Sequence, residues 1–201
     1  MERPEQAFIF DLDGTLADTM PSHYLAWTKV AAHHGLTFPE ARFYSLGGVP
    51  TDKIAAMLIT EAGLTLDSKA IALEKEQTYY EGLGPGGIRA IDPVLALARR
   101  HHENHEGPLA VASGSVRRLV TRTLDALGIA DWFAAVVAAE DTARHKPEPD
   151  VFLEAARRVN ADPASCTVYE DTDIGLEAAR RAGMRPVDVR LLIAAATKPS
   201  V

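Results

Sequence analysis

The chain of 201 residues is 47% hydrophobic and 24% charged, a balance that excludes collagenous, coiled-coil and disordered classes and allows one substantial core, or a core with a smaller appendage. Twenty-eight acidic residues against 21 Lys plus Arg give a formal charge of -7, which argues against sequence-independent attachment to nucleic acid or to an anionic membrane. The single cysteine, Cys166, cannot close an intramolecular disulfide, and the opening MERPEQ lacks the basic and apolar regions of an export signal. No apolar run reaches membrane-spanning length. A cytoplasmic protein is expected, with Cys166 as a small core residue.

FIFDLDGTLADT at 8–19 opens the chain's organisation. Phe8, Ile9 and Phe10 read as the end of a strand buried on both faces, because the apolar run does not alternate. Asp11 and Asp13 follow at its carboxyl end, with Gly14 supplying a sharp turn and Thr15 a hydroxyl. Two like charges this close are costly unless a cation or a shared proton relieves them.

Helices are expected next over 21–34, 50–62 and 67–82. Gly35 and Gly63 act as stops, Pro50 as a first helical residue and Asp67 as an N-cap. LGPGG at 83–87 marks a boundary by its density of breakers. Helices and short strands then alternate. A helix opens at Asp92 and Pro93; a strand over 109–113 precedes a helix over 115–127 stopped by Gly128. A strand over 134–139 and a helix over 149–159 follow. The last elements are a strand over 166–170, a helix over 174–182 and a strand over 186–189. This alternation predicts an α/β fold, a Rossmann-like doubly wound parallel sheet with an inserted all-helical domain. Residues 1–16 and 85–201 form the core, and 17–84 the insertion.

Ligands of open α/β sheets sit beyond the carboxyl ends of the strands. There the sequence offers Asp11 and Asp13, then SGS at 113–115, then Lys146 before Pro147, then Glu170 and Asp171. Each alone has a plain reading as turn, cap or surface lysine; together, at the strand ends of one sheet, they point to a site. Hard carboxylate oxygens beside Ser113, Lys146 and the backbone N–H groups near Gly114 describe a Mg²⁺ centre for phosphoryl transfer. Asp11 can then attack to give an aspartyl phosphate, while Asp13 protonates the leaving alkoxide and later takes a proton from water. Ser113 and Lys146 would stabilise charge on the phosphoryl oxygens.

DLDGT at 11–15, Ser113-Gly114, Lys146-Pro147 and Glu170-Asp171 resemble, in order and spacing, the four motifs of the haloacid dehalogenase-like hydrolases. The insertion after the first motif is similar to the C1 cap of their β-phosphoglucomutase-like subgroup. VVAAED, KPEPDVFL, EDTDIGLEAARRAGM and VDVRLL resemble the bacterial fructose-1-phosphate and 6-phosphogluconate phosphatases. The resemblance implies Asp11 as nucleophile and Asp13 as acid/base. It also implies Mg²⁺ held by Asp11, the Asp13 carbonyl, Glu170 and Asp171, and phosphate held by Ser113, Gly114 and Lys146. A monomer acting on a small phosphorylated metabolite is expected.

Specificity is expected from the cap. His23, Trp27, Thr51, Lys53 and Lys75 are its candidates. His23 reads equally as a packed helical histidine, Trp27 as core, and Lys53 and Lys75 as solvated. Thr51 stands where the mutase pattern expects an arginine for a second phosphate, which ranks a phosphatase above β-phosphoglucomutase. A signalling receiver gathers similar groups but has no helical insertion after its first strand, and a dehalogenase does not need Asp13. HHENH at 101–105 reads as a polar helix end.

Overall fold

The computed structural model describes residues 6–83 and 87–196. Its strands are β1 (Ala7–Phe10), β2 (Leu109–Ala112), β3 (Ala135–Val137), β4 (Cys166–Glu170) and β5 (Arg185–Asp188). They form one parallel sheet in the order β3-β2-β1-β4-β5. Side chains alternate across a strand, so each apolar run serves two cores. Phe8 and Phe10 face one of them, with Leu109, Val111 and Tyr169. Ala7 and Ile9 face the other, with Ala110, Ala112 and Val168.

The two faces differ in the size of what covers them. On the smaller-residue face lie α7 (Asp150–Arg158) and α8 (Asp173–Arg181), which bring Ala155, Ala156, Ala178 and Ala179 against the sheet. The opposite face carries α5 (Asp92–Glu103), α6 (Arg117–Leu127) and α9 (Val189–Ala196), with Val94, Val120, Leu124 and Val189 buried on Phe10 and its neighbours. Cys166 is a buried core residue, as expected.

Between β1 and α5 the chain leaves the sheet for α1 (Met20–His33), α2 (Glu40–Ser45), α3 (Thr51–Glu61) and α4 (Ser68–Gly82). These helices close around their own apolar cluster, centred on Trp27, Phe38, Phe43, Ile54, Leu58 and Ile71. The chain's exit and return run side by side: Asp18 N–H donates to Arg89 O at 2.9 Å and Ile91 N–H to Leu16 O at 3.0 Å. The expected boundary at 84–85 lies outside the described residues.

Asp67 caps α4 as expected, accepting from the N–H groups of Lys69 and Ala70. Gly128 ends α6 in the left-handed region at φ 66. Some bounds differ from expectation. The third strand stops at Val137, where residues 139–141 wind into a 3-10 turn. The helix expected from 115 begins at Arg117, because Ser115 is engaged in the turn before it. Pro50 lies just outside α3 rather than inside its first turn. Two helices were not foreseen. Six-residue α2 is too short for periodicity to reveal, and α9 starts where Asp188 accepts from Arg190 N–H at 3.0 Å, ending the last strand one residue early.

Candidate active site

All the predicted core residues meet at the carboxyl edge of the sheet. Asp11 continues β1, Ser113 and Gly114 follow β2, Lys146 lies on the connection after β3, and Glu170 ends β4. The peptide between Lys146 and Pro147 is cis.

Lys146 is the electrostatic centre of the site. It is buried, and its Nζ donates to Asp11 Oδ1 at 2.6 Å and to Glu170 Oε2 at 2.7 Å. Burial works against its charge, yet Asp11 and Glu170 outweigh burial and keep it a cation. Glu170 is tied down further: its Oε1 accepts from the N–H groups of Asp171 (3.0 Å) and Thr172 (2.9 Å) and from Thr172 Oγ1 (2.8 Å). Asp171 Oδ1 accepts from Thr15 Oγ1 at 2.9 Å. Gly14 lets Asp171 approach, since a Cβ there would stand 2.3 Å from Asp171 Oδ2.

Oxygens of Asp11, Glu170 and Asp171 lie within 4.8 Å of one another. Three carboxylates face one lysine, so the group is anionic and underneutralised. Burial and then Glu170 push the Asp171 carboxyl up to about 7. Burial likewise pushes Asp11 up, with Glu170 and Asp171 adding to it against the pull of Lys146. This all-oxygen donor set with its surplus of negative charge fits Mg²⁺.

Asp13 is held differently. Its Oδ1 accepts from Thr19 Oγ1 at 2.7 Å and its Oδ2 from Ser115 Oγ at 2.6 Å, with Ser113 Oγ at 3.5 Å. His23 Nε2 lies 3.4 Å from Oδ1. Burial raises the Asp13 carboxyl, but His23, Ser115 and Thr19 together hold it well below the usual carboxylate range. Behind it, Lys75 Nζ stands 2.7 Å from His23 Nδ1, and the His23 ring stacks on Tyr79 at 4.0 Å. A lysine can only donate, so Nδ1 accepts and the ring proton assigned from this network sits on Nε2, toward Asp13.

Asp13, His23, Trp27, Thr51, Lys75, Ser113 and Gly114 all line one cavity of about 50 Å³, together with Asp11. Four of the five cap candidates therefore reach the site. Lys53 does not line it and is solvated, as expected. Lys75 departs from expectation: it is 3% exposed, 6.0 Å from the Trp27 ring centroid. Trp27 is both core and lining, since its ring meets Phe38 edge-on at 5.3 Å. HHENH is only partly a polar helix end, because His101 is buried, stacked on Phe8 and bonded to Tyr169 at 2.9 Å.

Sequence reasoning missed Ser115, Thr19 and Thr172, although hydroxyls two residues after Ser113, six after Asp13 and two after Glu170 were visible. It also missed the tight fit of the 46–49 loop. A Cβ on Gly114 would stand 2.1 Å from Gly48 O, and one on Gly48 would stand 3.0 Å from Lys146 Cδ.

The sequence profile of the haloacid dehalogenase-like hydrolases matches residues 5–183. The chain is 40% identical over 184 residues to the fructose-1-phosphate phosphatase YqaB of Escherichia coli (strain K12), covering 92% of this chain and 96% of that one. It is 30% identical over 199 residues to the beta-phosphoglucomutase of Bacillus subtilis (strain 168), covering 92% and 83%. The fold matches the crystal structure of beta-phosphoglucomutase from Clostridium difficile with a TM-score of 0.79 at 27% identity, covering 91% and 83%.

Proposed function

The chain belongs to the haloacid dehalogenase-like hydrolases and is an enzyme of their phosphatase kind, and we propose that it hydrolyses a small sugar phosphate through an aspartyl phosphate on Asp11, with Mg²⁺ as cofactor. The observation that carries this reading is the convergence of Asp11, Glu170, Asp171 and Lys146, with Asp13 beside them on the same cavity.

Asp11, Glu170 and Asp171, with the Asp13 carbonyl, would hold the ion. When bound it supplies charge neutralisation for an attacking carboxylate and a phosphoryl group. Lys146 fixes one oxygen of Asp11, which orients the carboxylate for attack on phosphorus. Asp11 displaces the sugar oxygen, and Asp13 protonates that oxygen as it leaves. Asp13 then takes a proton from the water that attacks the phosphoryl group on Asp11. In the geometry observed here Asp13 is ionised and ready for the second of these tasks. For the first it must arrive protonated, which requires loosening of the donors from Thr19, His23 and Ser115. Ser113, the Gly114 N–H and Lys146 would hold the phosphoryl oxygens.

We propose residues 17–84 as a cap that opens for substrate. A cavity of about 50 Å³ is far below the roughly 300 Å³ of a typical small-ligand pocket. The helical block therefore has to move away from the Gly114 loop before a sugar phosphate enters. No arginine is among the described residues lining the cavity, whose basic side chains are His23 and Lys75. Thr51 begins α3 where a guanidinium for a second phosphate would be needed, which supports hydrolysis over mutase chemistry. The test is phosphate release from fructose 1-phosphate, 6-phosphogluconate and β-glucose 1-phosphate, with and without Mg²⁺. Mg²⁺-dependent release is expected, and conversion of β-glucose 1-phosphate to glucose 6-phosphate without net release would overturn the hydrolytic reading.

A further inference from the structure

The described residues hold two groups of potential metal ligands: the core acids, and His33, His34 and Glu74 on the helical block. The second lies where α1 ends against α4. His33 is the last residue of α1 and His34 caps it; Gly35, at φ +67, turns the chain away. Both rings converge on one carboxylate. His33 Nδ1 is 2.7 Å from Glu74 Oε1, and His34 Nε2 is 2.6 Å from Glu74 Oε2. The three donor atoms lie within 4.8 Å of one another, and the two ring centroids are 4.6 Å apart.

Exposed ion pairs contribute little to stability, and one carboxylate does not need two imidazoles. A bound ion uses all three groups at once. Two imidazole nitrogens and a carboxylate oxygen suit Zn²⁺ and its analogues rather than Mg²⁺, leaving a fourth position for water. Tetrahedral bonds of about 2.1 Å separate ligand atoms by about 3.4 Å. The observed contacts of 2.7 and 2.6 Å need to spread by less than about 1 Å. His33, whose side chain is 71% exposed, is free to make that adjustment.

We propose that His33, His34 and Glu74 form a peripheral site for a transition-metal dication such as Zn²⁺, separate from the oxygen-only core site. An ion there joins α1 to α4, the two helices whose inner faces carry His23 and Lys75. This inference does not depend on the phosphatase reading.

Co²⁺ titrated into the Mg²⁺-saturated protein is the test, because its visible bands distinguish nitrogen-containing four-coordinate ligation from the all-oxygen core. One equivalent is expected to bind with such bands. Affinity should fall at least roughly tenfold in His34→Ala and in the near-isosteric Glu74→Gln. Absence of saturable binding, or equal affinity in wild type and both variants, would overturn the proposal. X-ray absorption of the Zn²⁺-loaded wild-type protein decides independently of any variant's folding. Imidazole scattering supports the site, and oxygen alone around the metal contradicts it.

Discussion

His23 and Asp13 face each other where the helical block meets the core, 3.4 Å apart between Nε2 and Oδ1. Lys75 occupies the other ring nitrogen, so His23 directs a proton at Asp13 without carrying a charge of its own. Burial lowers the affinity of His23 for a second proton and Lys75 lowers it further, against the pull of Asp13. Replacing His23 with Ala removes one of the groups that keep Asp13 ionised, so the carboxyl rises. The acidic limb of kcat, where Asp13 must be ionised to act as base, is expected to move to higher pH. A pH–rate profile of His23→Ala checks this, and an unmoved limb contradicts the role given to His23.

The proton-transfer role of Asp13 predicts that Asp13→Asn lowers kcat by about 10²–10⁴-fold while leaving the thermal midpoint close to wild type. Steady-state phosphate release and calorimetry on the same preparation measure both. Full turnover would remove Asp13 from the chemistry.

Burial and Glu170 raise Asp171 to about 7, above its unfolded value near 4. A folded-state pKa raised in this way gives stability that is fully present below the unfolded pKa and is lost as pH rises through the folded one. The metal-free protein should therefore lose stability between about pH 4 and 7 through this group. Mg²⁺ needs Asp171 ionised, so its affinity should rise from pH 6 to pH 8, with proton uptake by buffer on binding at the lower pH. Titration calorimetry in buffers of different ionisation enthalpy reads the proton count. Affinity independent of pH would place Asp171 outside the ligand set.

Gly114 meets Gly48 O so closely that a Cβ would stand 2.1 Å away, between backbone groups with no flexible end to yield. Gly114→Ala is expected to hold the helical block off the core. It should lower kcat/KM by at least roughly tenfold, the cost of a misplaced reacting centre, with little change in unfolding temperature. Unchanged kcat/KM would mean that this contact is not part of the working closed state.

The core of the site was legible in the sequence because parallel strands buried on both faces stop abruptly and the chemistry-bearing residues follow at once: Asp11 after Phe10, Ser113 after Ala112, Glu170 closing CTVYE. The helical insertion showed through its capping residues, Asp67 above all. What stayed hidden depends on contacts between distant segments. Lys75 reads as any helical lysine until α4 lies against α1 and brings it to His23. The paired histidines at 33 and 34 have no partner in sequence until Glu74 arrives from 40 residues away. Gly47 and Gly48 signal a turn, and only the packed structure gives them Thr172 and Lys146 as neighbours.

The most direct test of a covalent intermediate on Asp11 is mass spectrometry of Asp13→Asn, quenched in acid after mixing with Mg²⁺ and a turned-over sugar phosphate. Asp13→Asn should accumulate one phosphoryl group on the peptide containing Asp11, and Asp11→Asn should accumulate none. A phosphoryl group on another residue, or Mg²⁺-dependent phosphate release by Asp11→Asn at the wild-type rate, would contradict the account.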